Sequence, residues 1–306
     1  MSKQNIIIDC DPGHDDAIAL LLACYSEKLN LLAVTTCSGN QTIEKTSRNA
    51  LNLLNFFNVK DIPIAKGSPK PLVREVLTCP EIHGESGLDG FTFPKYEDKY
   101  DPKDGYQLII DTLLNYKDVI VVTTGPMTNL ALAIKRNPEI VKHIKQIVLM
   151  GGSTTEGNMT KAAEFNILVD PEAADICFKA GLPMRMLGLN VTRRILVNES
   201  VMKEANKITT RGGDLFVKLM KVFNQNQRDY FGLPCGPLHD PATIISLIND
   251  NVFKYEKMDV EIDTSNTDLV GKTICRPLKS GNVEVAVDVN IDEYWKEIYK
   301  HLWRVI

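Results

Sequence analysis

The fold is decided by a stretch near the N-terminus, residues 5–25, which reads NIIIDCDPGHDDAIALLLACY. Its β-branched run, Ile6 to Ile8, is typical of a buried strand. Pro12 and Gly13 then supply a turn, and residues 17–25 read as a buried helix. The order of strand, turn and helix predicts the first unit of an α/β protein, with a carboxylate-rich turn at the end of its strand.

The same alternation continues along the first half of the chain and beyond it. Apolar runs at 31–36, 119–123, 147–150 and 183–189 are typical of strands, whereas 42–57 and 129–135 have helical spacing. Such alternation predicts a mostly parallel central sheet flanked by helices on both faces, in one domain over residues 1–306. A long Pro- and Gly-rich connection at 66–105 and a helical stretch at 198–231 are interpreted as lid-like segments.

Composition restricts the class of protein. The chain has 306 residues, with 44% hydrophobic and 24% charged residues, which is typical of a globular protein. A net charge of -4 argues against a nucleic-acid partner. No apolar run is long enough for a signal peptide or a membrane span. Seven cysteines contain no C-x-x-C pair, so we expect a cytoplasmic protein without a disulfide framework.

The turn after the first strand is unusually acidic. Asp9, Asp11, Asp15 and Asp16 fall within eight residues, and four like charges this close repel one another unless a cation lies among them. Oxygen ligands favour calcium or magnesium. A helix N-cap explains one or two of these aspartates but not four. An EF-hand is excluded, because its sixth position would be a histidine and its twelfth a leucine.

Several motifs carry a family resemblance. Residues 9–17, DCDPGHDDA, closely resemble the signature of the inosine–uridine-preferring nucleoside hydrolase family. Further blocks follow in family order: GNQT at 39–42, IHGESG at 82–87, EFN at 164–166, DPEAA at 170–174 and HD at 239–240. The resemblance extends from about residue 5 to the C-terminus. It implies a Rossmann-like fold, hydrolysis of ribonucleosides to free base and ribose, one calcium ion per subunit, and a homo-oligomer, either tetramer or dimer.

The resemblance also assigns roles by position. It implies that Asp11, Asp16, Asp240 and the main-chain carbonyl of Thr124 hold calcium, that Asp11 also takes a proton from water, and that His239 donates one to the leaving base. Breaking a ribosyl C–N bond builds positive charge on the sugar, which explains the carboxylates, and a departing base needs a proton donor. The residues that match substrate-binding positions are Asp15, Asn40, His83, Asn158, Glu164, Phe165 and Asn166.

The preferred base is less clear from the residues. Phe223, Gln227 and Phe231 are spaced by four and share one face of a helix. This pattern resembles that of pyrimidine-preferring members of the family, which carry Thr, Gln and Tyr at this spacing. Only the glutamine is kept here, and phenylalanine replaces the other two residues. Gln227 can read the polar edge of a pyrimidine, so we expect uridine and cytidine to be favoured. The alternatives are a purine or broad specificity, with both phenylalanines as core residues.

Two other functions stay open on the sequence. A magnesium-dependent phosphatase of the haloacid dehalogenase type also begins with strand-Asp-x-Asp, although it normally continues into Gly-Thr or Gly-Val. A non-catalytic nucleoside or calcium binder would need neither the base Asp11 nor the acid His239.

Overall fold

The computed structural model describes residues 3–306 and is organised around one nine-stranded sheet. The strands are β1 (Gln4–Cys10), β2 (Leu29–Thr36), β3 (Ile64–Lys66), β4 (Val119–Thr123), β5 (Ile144–Met150), β6 (Met184–Leu187), β7 (Phe253–Ile262), β8 (Thr273–Pro277) and β9 (Val283–Val289). Their order across the sheet is β3-β2-β1-β4-β5-β6-β9-β7-β8. All pairs from β3 to β9 are parallel, whereas β7 runs antiparallel to β8 and β9. The predicted mostly parallel sheet is confirmed.

Helices cover both faces of this sheet. Ile6 and Ile8 of β1 face one apolar cluster and Ile7 faces the other, so the centre of β1 is buried on both sides, which explains its three consecutive apolar residues. The helices are α1 (His14–Tyr25), α2 (Ile43–Phe56), α3 (Pro80–His83), α4 (Gly105–Asn115), α5 (Thr128–Arg136), α6 (Phe165–Val169), α7 (Pro171–Phe178), α8 (Leu189–Thr192), α9 (Glu199–Ala205), α10 (Arg211–Phe231), α11 (Pro241–Ile248) and α12 (Ile291–Leu302), with a 3-10 turn at Pro138–His143. Helices α1, α2, α10, α11 and α12 pack on the first face, and α4, α5 and α7 on the second.

The two segments that interrupt the alternation have different structures. Between β3 and α4 the chain is irregular apart from the single turn of α3. The stretch 198–231 forms two helices, α9 and α10, with a break at 206–210 rather than one continuous helix. Within residues 3–306, no helix is long and apolar enough to cross a membrane.

The strand order creates a crevice beside the first strand. From β1 the chain turns one way to β2 and later the other way to β4, so the carboxyl ends of β1 and β4 lie at a topological switch point. Asp11 follows β1, Asn40 follows β2 and Thr124 follows β4. Polar residues distant in sequence therefore meet at one edge of the sheet.

Candidate active site

A cavity of about 550 Å³ opens at this edge of the sheet. Asp11 and Asp16, which are fully buried, lie beside it. The other predicted site residues all line the cavity: Asp15, Asn40, His83, Thr124, Asn158, Glu164, Phe165, Asn166, Gln227, Phe231, His239 and Asp240. The fold therefore brings the whole predicted set together.

Asp11 is enclosed by main chain. The amide of Asn40 donates to Asp11 Oδ2 at 2.7 Å. A Cβ atom on Gly39 would lie 2.1 Å from that oxygen, and one on Gly125 would lie 2.5 Å from Oδ1. Both positions therefore need glycine for this close approach. The other oxygen, Asp11 Oδ1, is buried without a hydrogen-bond partner.

Asp16 is held firmly at the start of α1. Its Oδ1 accepts a hydrogen bond from the Thr124 hydroxyl at 2.7 Å. Its Oδ2 accepts from the Gly13 amide at 3.0 Å and from Asn40 Nδ2 at 3.1 Å. Acidic residues in a first helical turn also interact favourably with the helix dipole. The carboxylate is thus fixed from the ends of β1, β2 and β4.

Three carboxylates come close enough to share a cation. Ligand oxygens of Asp15, Asp16 and Asp240 lie within 4.8 Å of one another, and Asp15 Oδ1 is buried without a partner. Burial, and secondly the Asp16 carboxylate, raise the pKa of Asp15 to about 7. Burial and then Asp15 raise the pKa of Asp240 well above its usual range. An all-oxygen set of this kind can hold a hard metal ion.

No cationic side chain neutralises this cluster. Among residues 3–306, none of the ion pairs formed by lysine, arginine or histidine involves Asp11, Asp15, Asp16 or Asp240. The group of three neighbouring carboxylates includes Asp15, which the resemblance assigned to ribose binding. Asp11, which it assigned to the metal, lies outside that group. The Thr124 carbonyl accepts a hydrogen bond from Asn166 Nδ2 at 2.7 Å. Its second lone pair is left for another partner.

Glu164 forms the N-cap of α6 on another wall of the cavity. Its Oε1 accepts from the Asn166 amide at 2.9 Å, and its Oε2 accepts from the amides of Gly152 at 3.0 Å and Ile167 at 3.1 Å. Burial raises the pKa of this carboxyl to about 7, although the amide donors act in the opposite direction. Asn158 Oδ1 accepts from the Phe165 amide at 2.9 Å. The predicted ribose side is thus built around one short helix.

Two histidines lie on the remaining side of the cavity. His239 Nδ1 is 2.7 Å from the Thr192 hydroxyl, and burial followed by the Arg193 guanidinium lowers the pKa of His239 to about 3. His83 packs in an aromatic group with His14 and Phe223, with ring centroids 5.5–5.9 Å apart. Burial, and then His14, lower the pKa of His83 well below its usual range.

The three residues on the α10 face have different environments. Phe223 is buried against the two histidine rings, as a core residue would be, although it also lines the cavity. Gln227 is only 4% exposed, yet its side-chain amide makes no hydrogen bond within residues 3–306. Phe231 is 40% exposed at the rim. The amide of Gln227 is therefore the one polar group that α10 presents to the cavity interior.

Some supporting residues were not predicted from the sequence. Asn49 donates to the Pro12 carbonyl at 3.0 Å and to the Ser86 carbonyl at 2.8 Å, and so ties the acidic turn to the loop before α4. Thr192 reaches His239 across 47 positions. His14 lies inside the recognised motif, where spacing gave it no role. Only the folded chain brings these partners together.

Comparison with known proteins identifies the family. The model of the inosine-uridine preferring nucleoside hydrolases matches residues 6–296. The pyrimidine-specific ribonucleoside hydrolase RihB of Shigella flexneri and that of Escherichia coli (strain K12 / DH10B) are each 38% identical over 300 residues, which is 96% of this chain and of theirs. The purine-preferring ribonucleoside hydrolase from Gardnerella vaginalis is similar in structure, with a TM-score of 0.92, 29% identity and 99% coverage of both chains. The chain belongs to the inosine-uridine preferring nucleoside hydrolase family.

Proposed function

We propose that this nucleoside hydrolase acts on pyrimidine ribonucleosides, releasing the free base and ribose. Family membership makes it an N-ribosyl hydrolase, and decides against the phosphatase and the non-catalytic binder. The observation that carries the proposal is the single cavity that joins the buried carboxylates to the unpartnered amide of Gln227. The RihB relatives are pyrimidine-specific, which supports the same base class.

Calcium is the metal that we propose. Asp11, Asp16, Asp240 and the Thr124 carbonyl would hold it, and the partnerless oxygen of Asp11 and the cluster that includes Asp15 fit a cation with oxygen ligands. When bound, such an ion supplies Lewis-acid polarisation of a water molecule and an anchor for the ribose hydroxyls.

Asp11 is proposed as the base. Its Oδ2 is occupied by the Asn40 amide, so Oδ1, which has two lone pairs, would both face the ion and accept a proton from the attacking water. Gly39 and Gly125 confine the carboxylate to one position. A base held in place in this way loses little orientational freedom on reaction, which lowers the barrier.

The ribose is proposed to lie between the carboxylates and α6. Asp15, Asn40, Asn158, Glu164 and Asn166 would bind its hydroxyls. As the C–N bond breaks, positive charge develops on the sugar, and the buried carboxylates stabilise that charge more strongly than water does. Phe165, which lines the same wall, would pack against the sugar.

His239 is proposed to protonate the leaving base. Its ring is oriented through Nδ1 by the Thr192 hydroxyl, which leaves Nε2 for the base. A positioned acid of this kind contributes roughly 10²–10⁴-fold in rate. His83, on the same side of the cavity, would contact the base as well.

Gln227 is proposed to select pyrimidines. Its amide offers one acceptor and two donors, which match the alternating polar edge of uracil or cytosine. Phe231 at the rim would cover the base, and residues 66–105 and 198–231 would act as lids. A homo-oligomeric state, tetramer or dimer, and a cytoplasmic location belong to the same proposal.

The test is the release of reducing sugar from uridine, cytidine and inosine, with and without a calcium chelator. We expect release from uridine and cytidine that is lost on chelation and restored by added calcium. Release from inosine alone would reject the role of Gln227 but keep the reaction. Release that is unaffected by prolonged chelation would reject the metal. No release from any of the three would reject the proposed substrate class.

A further inference from the structure

We propose that His83 presents Nε2–H to the leaving base as a hydrogen-bond donor, and that the main-chain amide of His14 fixes this tautomer. The inference rests on the proposed function, because it concerns the base end of the same cavity. His83 thereby has a defined chemical form, whereas its position in the sequence predicts only that it lies near the substrate.

The tautomer follows from the partner of Nδ1. The amide N–H of His14 points at His83 Nδ1 over 3.2 Å. A main-chain amide can only donate, so His83 Nδ1 must offer a lone pair. In a neutral ring the proton is then on Nε2. His14 is the first residue of α1, and the first amides of a helix have no partners inside it.

The alternative tautomer conflicts with the contacts around both rings. His14 Nε2 lies 2.8 Å from the Asp89 carbonyl, which can only accept, so the neutral His14 ring carries its proton there. His83 Nδ1 could then donate to His14 Nδ1 over 3.4 Å. That proton, however, would face the His14 amide hydrogen, and the shorter main-chain contact would be lost. The amide therefore decides the arrangement.

The opposite edge of the His83 ring faces the cavity. Gly13 lies against the edge with Nδ1 and Cε1, since a Cβ there would be 2.4 Å and 2.7 Å from those atoms. Nε2 makes no hydrogen bond within residues 3–306, and it is not one of the completely buried polar atoms that lack a partner. His83 lines the cavity, and the rings of His14 and Phe223 hold its plane. Nε2–H is thus a donor in a fixed orientation, and an acceptor atom of the substrate can bind to it.

His239 differs from His83 in how its form is set. Its Nδ1 partner is the Thr192 hydroxyl, which can donate to the ring at 2.7 Å or to the Gly188 carbonyl at 3.2 Å. A hydroxyl can act in either sense, so it does not decide which nitrogen of His239 carries the proton. The two histidines therefore differ: a main-chain amide fixes the tautomer of His83, and the Thr192 hydroxyl leaves that of His239 open.

A donor of this kind stabilises negative charge that develops on the departing base. A neutral imidazole held by a helix N-terminus is a suitable polarising group, because it donates without first acquiring a proton. Pre-positioned donors to developing charge are worth about 10²-fold or more in rate. The ligand feature recognised is an acceptor atom on the nucleobase beside the glycosidic bond.

The decisive measurement is the protonation state of the His83 ring nitrogens by NMR with ¹⁵N-labelled histidine. The chain has five histidines, and the His83 signals are assigned by their loss in His83→Gln. We expect a non-protonated Nδ1 and a protonated Nε2 at neutral pH. A protonated Nδ1, in either a neutral or a cationic ring, would overturn the proposal. This readout needs no turnover, so its failure is distinct from failure of the proposed function.

Two variants separate the main chain of His14 from its side chain. His14→Ala keeps the amide hydrogen, and His14→Pro removes it at a first helical position that tolerates proline. We expect the Nε2–H form of His83 to persist in His14→Ala and to become a mixture of tautomers in His14→Pro. Identical spectra for the two variants would show that the amide does not set the tautomer.

Turnover tests the donor itself. His83→Gln can place an amide N–H near the same position, whereas His83→Phe keeps the ring and loses the donor. With uridine, we expect kcat/KM to fall about 10²-fold in His83→Phe and at most about tenfold in His83→Gln. With p-nitrophenyl riboside, whose leaving group needs little help, the loss in His83→Phe should be much smaller than with uridine. Equal losses in both variants on both substrates would mean that His83 has only a packing role.

Discussion

Replacing Glu164 by alanine should destabilise the whole fold as well as impair catalysis. The proposed ribose ligand is also the cap of α6, and its two oxygens accept three main-chain hydrogen bonds, from Gly152, Asn166 and Ile167. The side chain is 2% exposed, so water has little access to the amides that would be left. Stability and the proposed ribose binding therefore depend on one carboxylate.

The size of the effect follows from these bonds. Loss of a helix cap costs about 1 kcal/mol. Each buried amide left without a partner costs roughly 1–3 kcal/mol, less where relaxation admits water. We expect the free energy of unfolding to fall by about 3–5 kcal/mol in Glu164→Ala, which is a severe loss for a single substitution. Glu164→Gln keeps one acceptor oxygen but turns an NH₂ group towards a main-chain amide, so we expect its free energy of unfolding to fall by about 1–3 kcal/mol.

The assay is denaturant unfolding at fixed protein concentration, with kcat/KM on uridine measured in parallel. Glu156→Ala is the matched control, because Glu156 is an exposed glutamate on the same wall. We expect its free energy of unfolding to stay within about 0.5 kcal/mol of wild type. If Glu164→Ala were equally stable and merely inactive, the capping argument would be wrong and Glu164 would serve the substrate alone.

Three further substitutions test the proposed catalytic residues, Asp11 and His239. In Asp11→Asn the side-chain oxygen should accept the hydrogen bond from the Asn40 amide, so that NH₂ replaces the free Oδ1. We expect kcat to fall below a tenth of the wild-type value with an unchanged thermal midpoint. Higher residual activity would show that Asp11 is not the base. Gly125→Ala puts a methyl group 2.5 Å from Asp11 Oδ1, so kcat should fall at least tenfold; near-normal kcat would show that Asp11 needs no such confinement. Thr192→Val removes the hydroxyl 2.7 Å from His239, and we expect kcat/KM to fall about tenfold with uridine but little with p-nitrophenyl riboside; parallel losses would indicate general damage.

The parallel part of the sheet was predictable because strands that are buried on both faces have consecutive apolar residues. The centre of β1, Ile6 to Ile8, and nearly all of β4 are continuous apolar runs, and a helix follows each strand. Strands β7 and β8 lack such apolar runs. They are antiparallel and lie near the sheet edge, so residues such as Lys257 and Glu261 of β7 face solvent. The C-terminal part of the sheet was consequently not predicted. Helix α12 was not predicted either, although its buried residues Tyr294, Ile298 and Leu302 have helical spacing.

The site was predictable where function and motif coincide, and not where only packing connects residues. The acidic turn, Asn40 and His239 belong to short motifs that can be read directly. The capping by Glu164 and the contact between Thr192 and His239 depend on how loops return to the sheet edge. No local pattern encodes such contacts, so they became evident only from the geometry.

The carboxylate cluster joins the first turn of α1 to the N-cap of α11, and this has a consequence for biosynthesis. A growing chain exposes Asp15 and Asp16 early, but their partner Asp240 leaves the ribosome only near the end of translation. The proposed ion, which would be held by both Asp16 and Asp240, would bind the finished fold and not its fragments, so binding would stabilise complete molecules selectively. Ambient calcium would then govern not only turnover but also how many newly made chains escape proteolysis, and products truncated before α11 would gain no such protection.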